Sequence, residues 1–207
     1  MILQSLKYQK RRKEWLLIFD NGKTLSVSDE LKTKYGLQPA LDIGEDRFLT
    51  LKNEAERQSA FEKAIELLSY REHSSHELRT KLIRKGFSSS LAQDILKQMI
   101  ANGYLNDERF ASLYFSELMR QRKYGPLMIK KKMMEKGVEG QVADAKLNTV
   151  SSGEWEQIAR EILHKKRQKL NRNSGNVRET VLGILTRKGF SYGNVQNVVN
   201  EYGEKED

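Results

Sequence analysis

The sequence contains no cysteine, which excludes disulfide bonds and thiolate metal sites. It has only two prolines, Pro39 and Pro126, and its longest apolar run is the five-residue segment 15–19. A run of that length suits a β-strand and is too short for a signal peptide or a membrane-spanning helix. We therefore expect a soluble cytoplasmic protein.

The common catalytic signatures are also missing. There is no GxxxxGK[ST] phosphate loop, no GxGxxG dinucleotide motif and no GxSxG nucleophile elbow. His73 and His76 form an HxxH pair, but no third metal ligand lies nearby in the sequence, and His164 lies in a basic run. We expect no catalytic residue, no cofactor and no metal site.

Positive charge is what the sequence has in excess. The chain carries 37 Lys and Arg against 28 Asp and Glu, a formal net charge of +9. This balance indicates a polyanionic partner or a protein partner with an acidic surface. The apolar fraction is 38%, which favours several small local cores over one large core.

The N-terminal region has a β pattern. Two β-prone runs, 15–19 and 24–28, flank Asn21-Gly22, a strong hairpin signal because both turn residues tolerate positive φ. Segment 5–12 could add a third strand, and Ser28 is a candidate N-cap for a short helix that ends near Gly36. We predict a small β-rich module over residues 1–53.

The rest of the chain contains an internal repeat. Leu-Ile-Arg-Lys-Gly-Phe, ending at Phe87, recurs as Met-Met-Glu-Lys-Gly-Val, ending at Val138, and as Leu-Thr-Arg-Lys-Gly-Phe, ending at Phe190. The three glycines are 51 and 52 residues apart. Another apolar residue stands four positions before the first of each segment: Leu78, Ile129 and Val181. A shared period of this kind predicts tandem repeats.

Each repeated segment has the features of a helix end. Apolar residues four positions apart lie on one helical face, and the lysine near the end is favourable beside the negative pole of the helix dipole. The glycine follows where positive φ is required, so we predict positive φ at Gly86, Gly137 and Gly189. The next apolar residue can fold back onto the helix.

Start signals divide each repeat into three helices. Candidate capping boxes begin at Ser74, Ser90 and Ser151, and Pro126 is a candidate first helical residue. The predicted helices are 54–71, 75–85 and 90–102 in the first repeat, 107–122, 126–136 and 140–148 in the second, and 154–170, 175–188 and 192–202 in the third. The corresponding domains are 54–106, 107–152 and 153–207. The predicted fold is mainly α, with three tandem three-helix repeats in an elongated, curved array after the β-rich module.

Basic residues recur around the middle helices of the repeats. A further basic cluster, Lys7 and 10–13, lies in the β-rich module. The candidate partner-binding residues are Arg84, Lys85, Arg120, Arg122, Lys123, Lys130, Lys131, Lys132, Lys165, Lys166 and Arg167. Each cluster by itself is typical of a solvated face, but stacked repeats would align them into an extended surface.

These motifs together resemble the RecX family of regulatory proteins. The likeness covers about 54–200 and follows the family's order: 64–71, 75–78, Leu82 and 85–87, then 103–107 and 110–111, then 124–126, Ile129 and 136–138, and finally 187–190. The resemblance implies a protein that lies in the groove of the RecA filament on single-stranded DNA. It also implies inhibition of ATP hydrolysis, strand exchange and filament growth, without catalytic residues. We expect the protein to be a monomer.

A second hypothesis is a nucleic-acid-binding repeat protein, because three-helix units with basic middle helices also suit DNA. Salt dependence distinguishes the two hypotheses. Direct phosphate contacts make affinity fall steeply with salt, whereas binding to a protein filament should persist better at moderate salt.

Overall fold

The structure is a computed structural model that describes residues 1–166 and 177–203. The fold is mainly helical, with a three-stranded antiparallel sheet at the N-terminus, as predicted. The strands are β1 (Leu3–Gln9), β2 (Glu14–Phe19) and β3 (Thr24–Val27). The described helices are α1 (Asp29–Lys34), α2 (Glu45–Tyr70), α3 (Ser75–Arg84), α4 (Ser89–Ala101), α5 (Asp107–Gln121), α6 (Pro126–Glu135), α7 (Gly140–Leu147), α8 (Ser152–His164), α9 (Val177–Arg187) and α10 (Tyr192–Gly203).

The chain divides into two compact units. The first contains Met1–Arg71 and Arg79–Tyr104, and the second contains Glu72–Leu78 and Leu105–Asp207. The predicted helix 154–170 was wrong at both ends, because α8 begins at Ser152 and ends at His164. The predicted helix start at 175 lies outside the described residues. The domain boundaries and the elongated form of the array stay predictions.

The sheet has the order β1-β2-β3 and forms one wall of the N-terminal core. Its inner face carries Leu3, Leu17 and Phe19, which pack with Phe48 and Leu51 of α2. The hairpin at Asn21-Gly22 is confirmed, but only Gly22 has positive φ (79°), and its N–H donates to Phe19 O. The turn therefore uses the positive φ that glycine tolerates, and it does so at one residue of the dipeptide.

Helix α2 begins nine residues earlier than predicted, at Glu45 instead of 54. Its first half supplies Phe48, Leu51 and Ala55 to the core of the sheet, while its second half buries Ala60 and Ala64. One helix thus serves both the β-rich module and the first repeat, and the sequence pattern assigned these two roles to separate segments.

Most predicted helix starts are confirmed by their caps. Ser74 Oγ accepts from Glu77 N at 3.1 Å, and Ser151 Oγ accepts from Glu154 N at 3.2 Å. The prediction for α4 was wrong by two residues, because Ser88 and not Ser90 is its N-cap. The Ser88 hydroxyl accepts from Leu91 N at 3.2 Å, which lets the helix begin at Ser89.

The helix ends at the three repeated glycines share one geometry. The φ angles of Gly86, Gly137 and Gly189 are 99°, 84° and 89°, which confirms the predicted left-handed conformation. In each case the glycine N–H donates three residues back and the next N–H donates five residues back, for example Val138 N to Met133 O at 3.0 Å. This pair of bonds satisfies the last helical carbonyls.

In the second unit, the same helix ends also join consecutive repeats. Ser74, just before α3, donates its hydroxyl to Lys136 O at the end of α6, and Lys136 Nζ lies 2.6 Å from Glu77 Oε1. One repeat later, Gly125 N donates to Lys188 O at 2.7 Å and Leu127 N to Gly189 O at 2.9 Å. The start of one middle helix therefore contacts the Lys-Gly end of the next middle helix, and we call this contact the repeat joint.

Candidate functional site: the exposed face of the middle repeat

The turn between α5 and α6 organises the densest group of predicted partner-binding residues. Helix α5 ends at Arg122, whose backbone is left-handed (φ 47°), and Pro126 begins α6 after Gly125. Gly125 is buried against the repeat joint, where an added Cβ would lie 2.6 Å from Gly189 O. The backbone of this turn is thus held where Gly125 contacts the repeat joint.

Arg122 makes an internal ion pair. Its Nε donates to both carboxylate oxygens of Glu161 in α8, at 2.9 and 2.8 Å. Hydrogen bonding to Glu161 raises the pKa of Arg122, and hydrogen bonding to Arg122 lowers the pKa of Glu161. Arg122 Nη2 is buried and has no hydrogen-bond partner among the described residues. The geometry assigns Arg122 to holding α5 against α8.

Two of the three lysines on α6 also have contacts inside the chain. Lys130 Nζ lies 2.7 Å from Asp144 Oδ2 on α7. Lys132 Nζ lies over the Tyr124 ring, 4.6 Å from its centroid, and Lys188 Nζ is 5.9 Å from the same ring. These three lysines therefore stabilise the packing around α6 through charge and cation–π contacts.

Lys131 faces solvent together with two large apolar side chains. Its side chain is 67% exposed, and its ion pair within the described residues is a long contact of 4.0 Å to Glu135. Leu127 and Met134 are 58% and 52% exposed. Positions 127, 131 and 134 lie on one helical face because they are four and three residues apart. We call Leu127, Lys131 and Met134 the α6 stripe.

The apolar members of the α6 stripe were missed by the sequence reasoning, which searched for charge alone. Exposed apolar side chains grouped on one face indicate a binding surface more often than isolated ones do. Arg120, in the last turn of α5, and Lys123, just after α5, are exposed as well. Within the described residues, neither takes part in an ion pair. Arg120, Lys123 and the α6 stripe form the candidate site.

Four other predicted residues belong to the ends of α3 and α8. Arg84 and Lys85 are exposed at the end of α3, in the first unit. Lys165 is the exposed C-cap of α8 and Lys166 is half-buried, whereas Arg167 lies outside the described residues.

The two histidines of the HxxH pair have different surroundings. His73 is buried, and the exposed His76 packs against Gly137 at the repeat joint. Over residues 1–166 and 177–203, no three His, Cys, Asp or Glu side chains are grouped so that they could hold a metal ion. Among the helices in these ranges, none combines the length and apolar character required to cross a bilayer.

Comparisons with known proteins identify the repeats. The protein-family model described as "RecX, first three-helix domain" matches residues 60–99, and the model described as "RecX, second three-helix domain" matches residues 106–147. Regulatory protein RecX of Bacillus cytotoxicus is 26% identical across the whole chain, with 78% of the relative covered. These similarities support a RecX family protein.

Further RecX proteins are similar to this chain. Regulatory protein RecX of Geobacillus kaustophilus is 26% identical over 94% of this chain and 74% of its own length. Two RecX crystal structures share the fold. One has a TM-score of 0.69 at 20% identity and covers 93% of this chain and 96% of its own. The other, from Lactobacillus salivarius, has a TM-score of 0.63 at 22% identity. Its alignment covers 71% of this chain and 96% of the Lactobacillus chain.

Proposed function

We propose that this protein binds the filament that RecA forms on single-stranded DNA, and that it inhibits the filament's ATP hydrolysis, strand exchange and growth. Similarity to the RecX family carries the proposal. The fold agrees with it, because tandem helical repeats present surfaces suited to an extended partner. The protein acts in this proposal by binding, without catalysis.

The candidate site in the middle repeat is the part of the surface that we assign to the filament. The α6 stripe offers two apolar anchors, Leu127 and Met134, on either side of the Lys131 cation. Arg120 and Lys123 add two exposed charges near the start of α6. Binding energy at protein interfaces concentrates in a few central side chains, and apolar groups with charged neighbours suit such a centre.

The direct test measures ATP turnover by RecA on single-stranded DNA with and without this protein. The parent protein should inhibit turnover at substoichiometric or near-equal ratio to RecA. The decisive variant reverses the three exposed charges, Arg120→Glu, Lys123→Glu and Lys131→Glu. Arg122 and Lys130 are left intact, because reversing either would break an internal ion pair and disturb folding.

A matched control reverses three exposed charges outside the candidate site, Lys52→Glu, Lys97→Glu and Arg187→Glu. Both variants change the net charge equally, so a general electrostatic effect would weaken them alike. We expect the first variant to lose inhibition and filament binding, and the control to inhibit as the parent does. Equal inhibition by a folded candidate-site variant and the parent would remove the middle repeat from the interface.

A further inference from the structure

The turn between β1 and β2 consists of four consecutive basic residues, Lys10 to Lys13. Gln9 O accepts from Arg12 N at 3.0 Å and from Lys13 N at 2.9 Å, which closes the turn. Lys13 has the left-handed φ of 57° that the reversal requires. All four residues are exposed, so the hairpin presents a compact group of cations at its tip.

In the part of the chain that the structure describes, Lys7 and the four turn residues make no ion pair. The carboxylates around them are those of Glu14 in β2 and of Glu56 and Glu62 in α2, which line the same open groove as Arg12 and Lys13. Four adjacent like charges repel one another, and an anionic ligand would relieve that repulsion.

An exposed aromatic ring lies next to the basic turn. Tyr8 pairs with Trp15 across β1 and β2, with ring centroids 5.1 Å apart. Trp15 is fixed by a 2.5 Å hydrogen bond from its Nε1 to Asp29 Oδ1 and by Lys32, whose Nζ is 3.9 Å from the ring. Tyr8 packs on this anchored ring and is itself 44% exposed.

We propose that the β1–β2 hairpin binds single-stranded DNA, with the turn cations contacting phosphates and Tyr8 stacking on a base. Regularly spaced phosphates suit consecutive cations, and base–aromatic stacking is the usual companion of such a basic track. An acidic protein surface would also attract the cations of the turn. Binding to such a surface would not use the exposed Tyr8 ring, which Trp15 supports. The contact does not require a recombinase, so the intact chain alone can test it.

The first test measures the affinity of the full-length protein for a fluorescent oligothymidylate over a series of salt concentrations. Replacing Arg11→Gln and Arg12→Gln removes two phosphate contacts and leaves Lys13 in its left-handed position. The slope of log affinity against log salt should flatten by about 1.4, at about 0.7 per phosphate on a single strand. The control Lys97→Gln with Arg187→Gln has the same net charge and should keep the parent slope.

The second test examines stacking. Tyr8→Leu keeps an apolar side chain against Trp15 but removes the aromatic face. Its affinity for single strands should fall roughly fivefold or more, the lower end of the range for base stacking. Its affinity for duplex DNA should match that of the parent, since paired bases offer no accessible face. Circular dichroism checks that each variant is folded.

Three outcomes would overturn the proposal. Equal slopes for the Arg11/Arg12 variant and its control would show that the turn does not contact phosphate. An unchanged single-strand affinity of Tyr8→Leu would remove the stacking contact. Polyglutamate that binds as tightly as the oligonucleotide, with the same dependence on Arg11 and Arg12, would reassign the turn to an acidic protein partner. Each result is independent of RecA inhibition, so it leaves the proposed function separately testable.

Discussion

Gly86 and Gly137 have the same left-handed backbone but different surroundings. A Cβ added at Gly86 would meet no atom within 4 Å. At Gly137, the added Cβ would lie well inside van der Waals contact with His76 Cβ. The first glycine serves the helix end alone, whereas the second also permits the close approach at the repeat joint.

This difference predicts that a change from glycine to alanine costs more stability at position 137 than at position 86. Gly86→Ala should destabilise the protein by about 1–2 kcal/mol, the cost of a left-handed residue with a side chain. Gly137→Ala should cost about 1–3 kcal/mol more, because its methyl group also overpacks the joint. Urea unfolding of both variants measures the two values. Equal costs would mean that the joint yields easily at His76.

Arg122 and Glu161 allow a prediction about pH. The pKa of Glu161 is lowered below its ordinary 4.5 by its hydrogen bond from Arg122. A carboxylate with a lowered folded-state pKa contributes stability above its unfolded pKa and loses it as pH falls through the folded value. Glu161→Gln should therefore lower the free energy of unfolding by roughly 0.2–1 kcal/mol near neutral pH, with the difference shrinking as pH falls below the ordinary value of 4.5 and through the lowered folded-state pKa.

A double-mutant cycle with Arg122→Gln is the control for this pair. Once Arg122 is replaced, Glu161→Gln should have little further effect at neutral pH, because the interaction is already gone. The measurement is urea unfolding at several pH values for the four proteins. Additive losses, or a difference that grows in acid, would show that the ion pair does not stabilise the folded state.

At the scale of elements, α2 holds the sheet through one face of its first half. Leu51 is fully buried in the sheet's core, while Leu49, two residues earlier on the same helix, is 48% exposed. Leu51→Ala should cost about 2–5 kcal/mol, as buried leucines do, and Leu49→Ala should change the free energy of unfolding by less than about 0.5 kcal/mol. Thermal and urea unfolding of the two variants measure these losses. Similar small losses would contradict the assignment of this half of α2 to the β-rich module.

The same helix shows what sequence patterns convey about elements. Ser74, Ser151 and Pro126 marked helix starts correctly because caps act within one turn of the chain. The start of α2 was missed because Phe48 and Leu51 pack on a sheet that precedes them by more than twenty residues. A helical face alone does not identify the element it covers.

In the candidate site, too, the sequence identified local features but not contacts between helices. The sequence identified the basic residues around Gly125-Pro126, and the exposed members Arg120, Lys123 and Lys131 belong to that group. It could not separate them from Arg122 and Lys130, whose carboxylate partners are 39 and 14 residues away. Such pairs depend on how α5 and α6 pack with α8 and α7, a relationship that local charge patterns do not encode.

At the scale of the whole molecule, the net charge of +9 attracts DNA, while the proposed filament interface also has apolar anchors. These contributions respond differently to salt. Between about 50 and 200 mM salt, affinity for free single strands should fall about 2.6-fold for each phosphate contacted. The concentration of this protein that half-inhibits RecA turnover should rise less over the same range. If the single-strand affinity and the half-inhibiting concentration change by the same factor with salt, DNA and not the protein surface of the filament would be the main target.

The repeat joint has a consequence for how such a chain can lengthen. The residue that donates across a joint, such as Gly125, and the Lys-Gly end that accepts from the preceding repeat, such as Lys136-Gly137, lie in the same short stretch of sequence. Tandem duplication of the corresponding coding segment would therefore copy both sides of the contact in one event. An added copy could dock without evolving a new interface, and its exposed helix face would be able to diverge towards a different ligand.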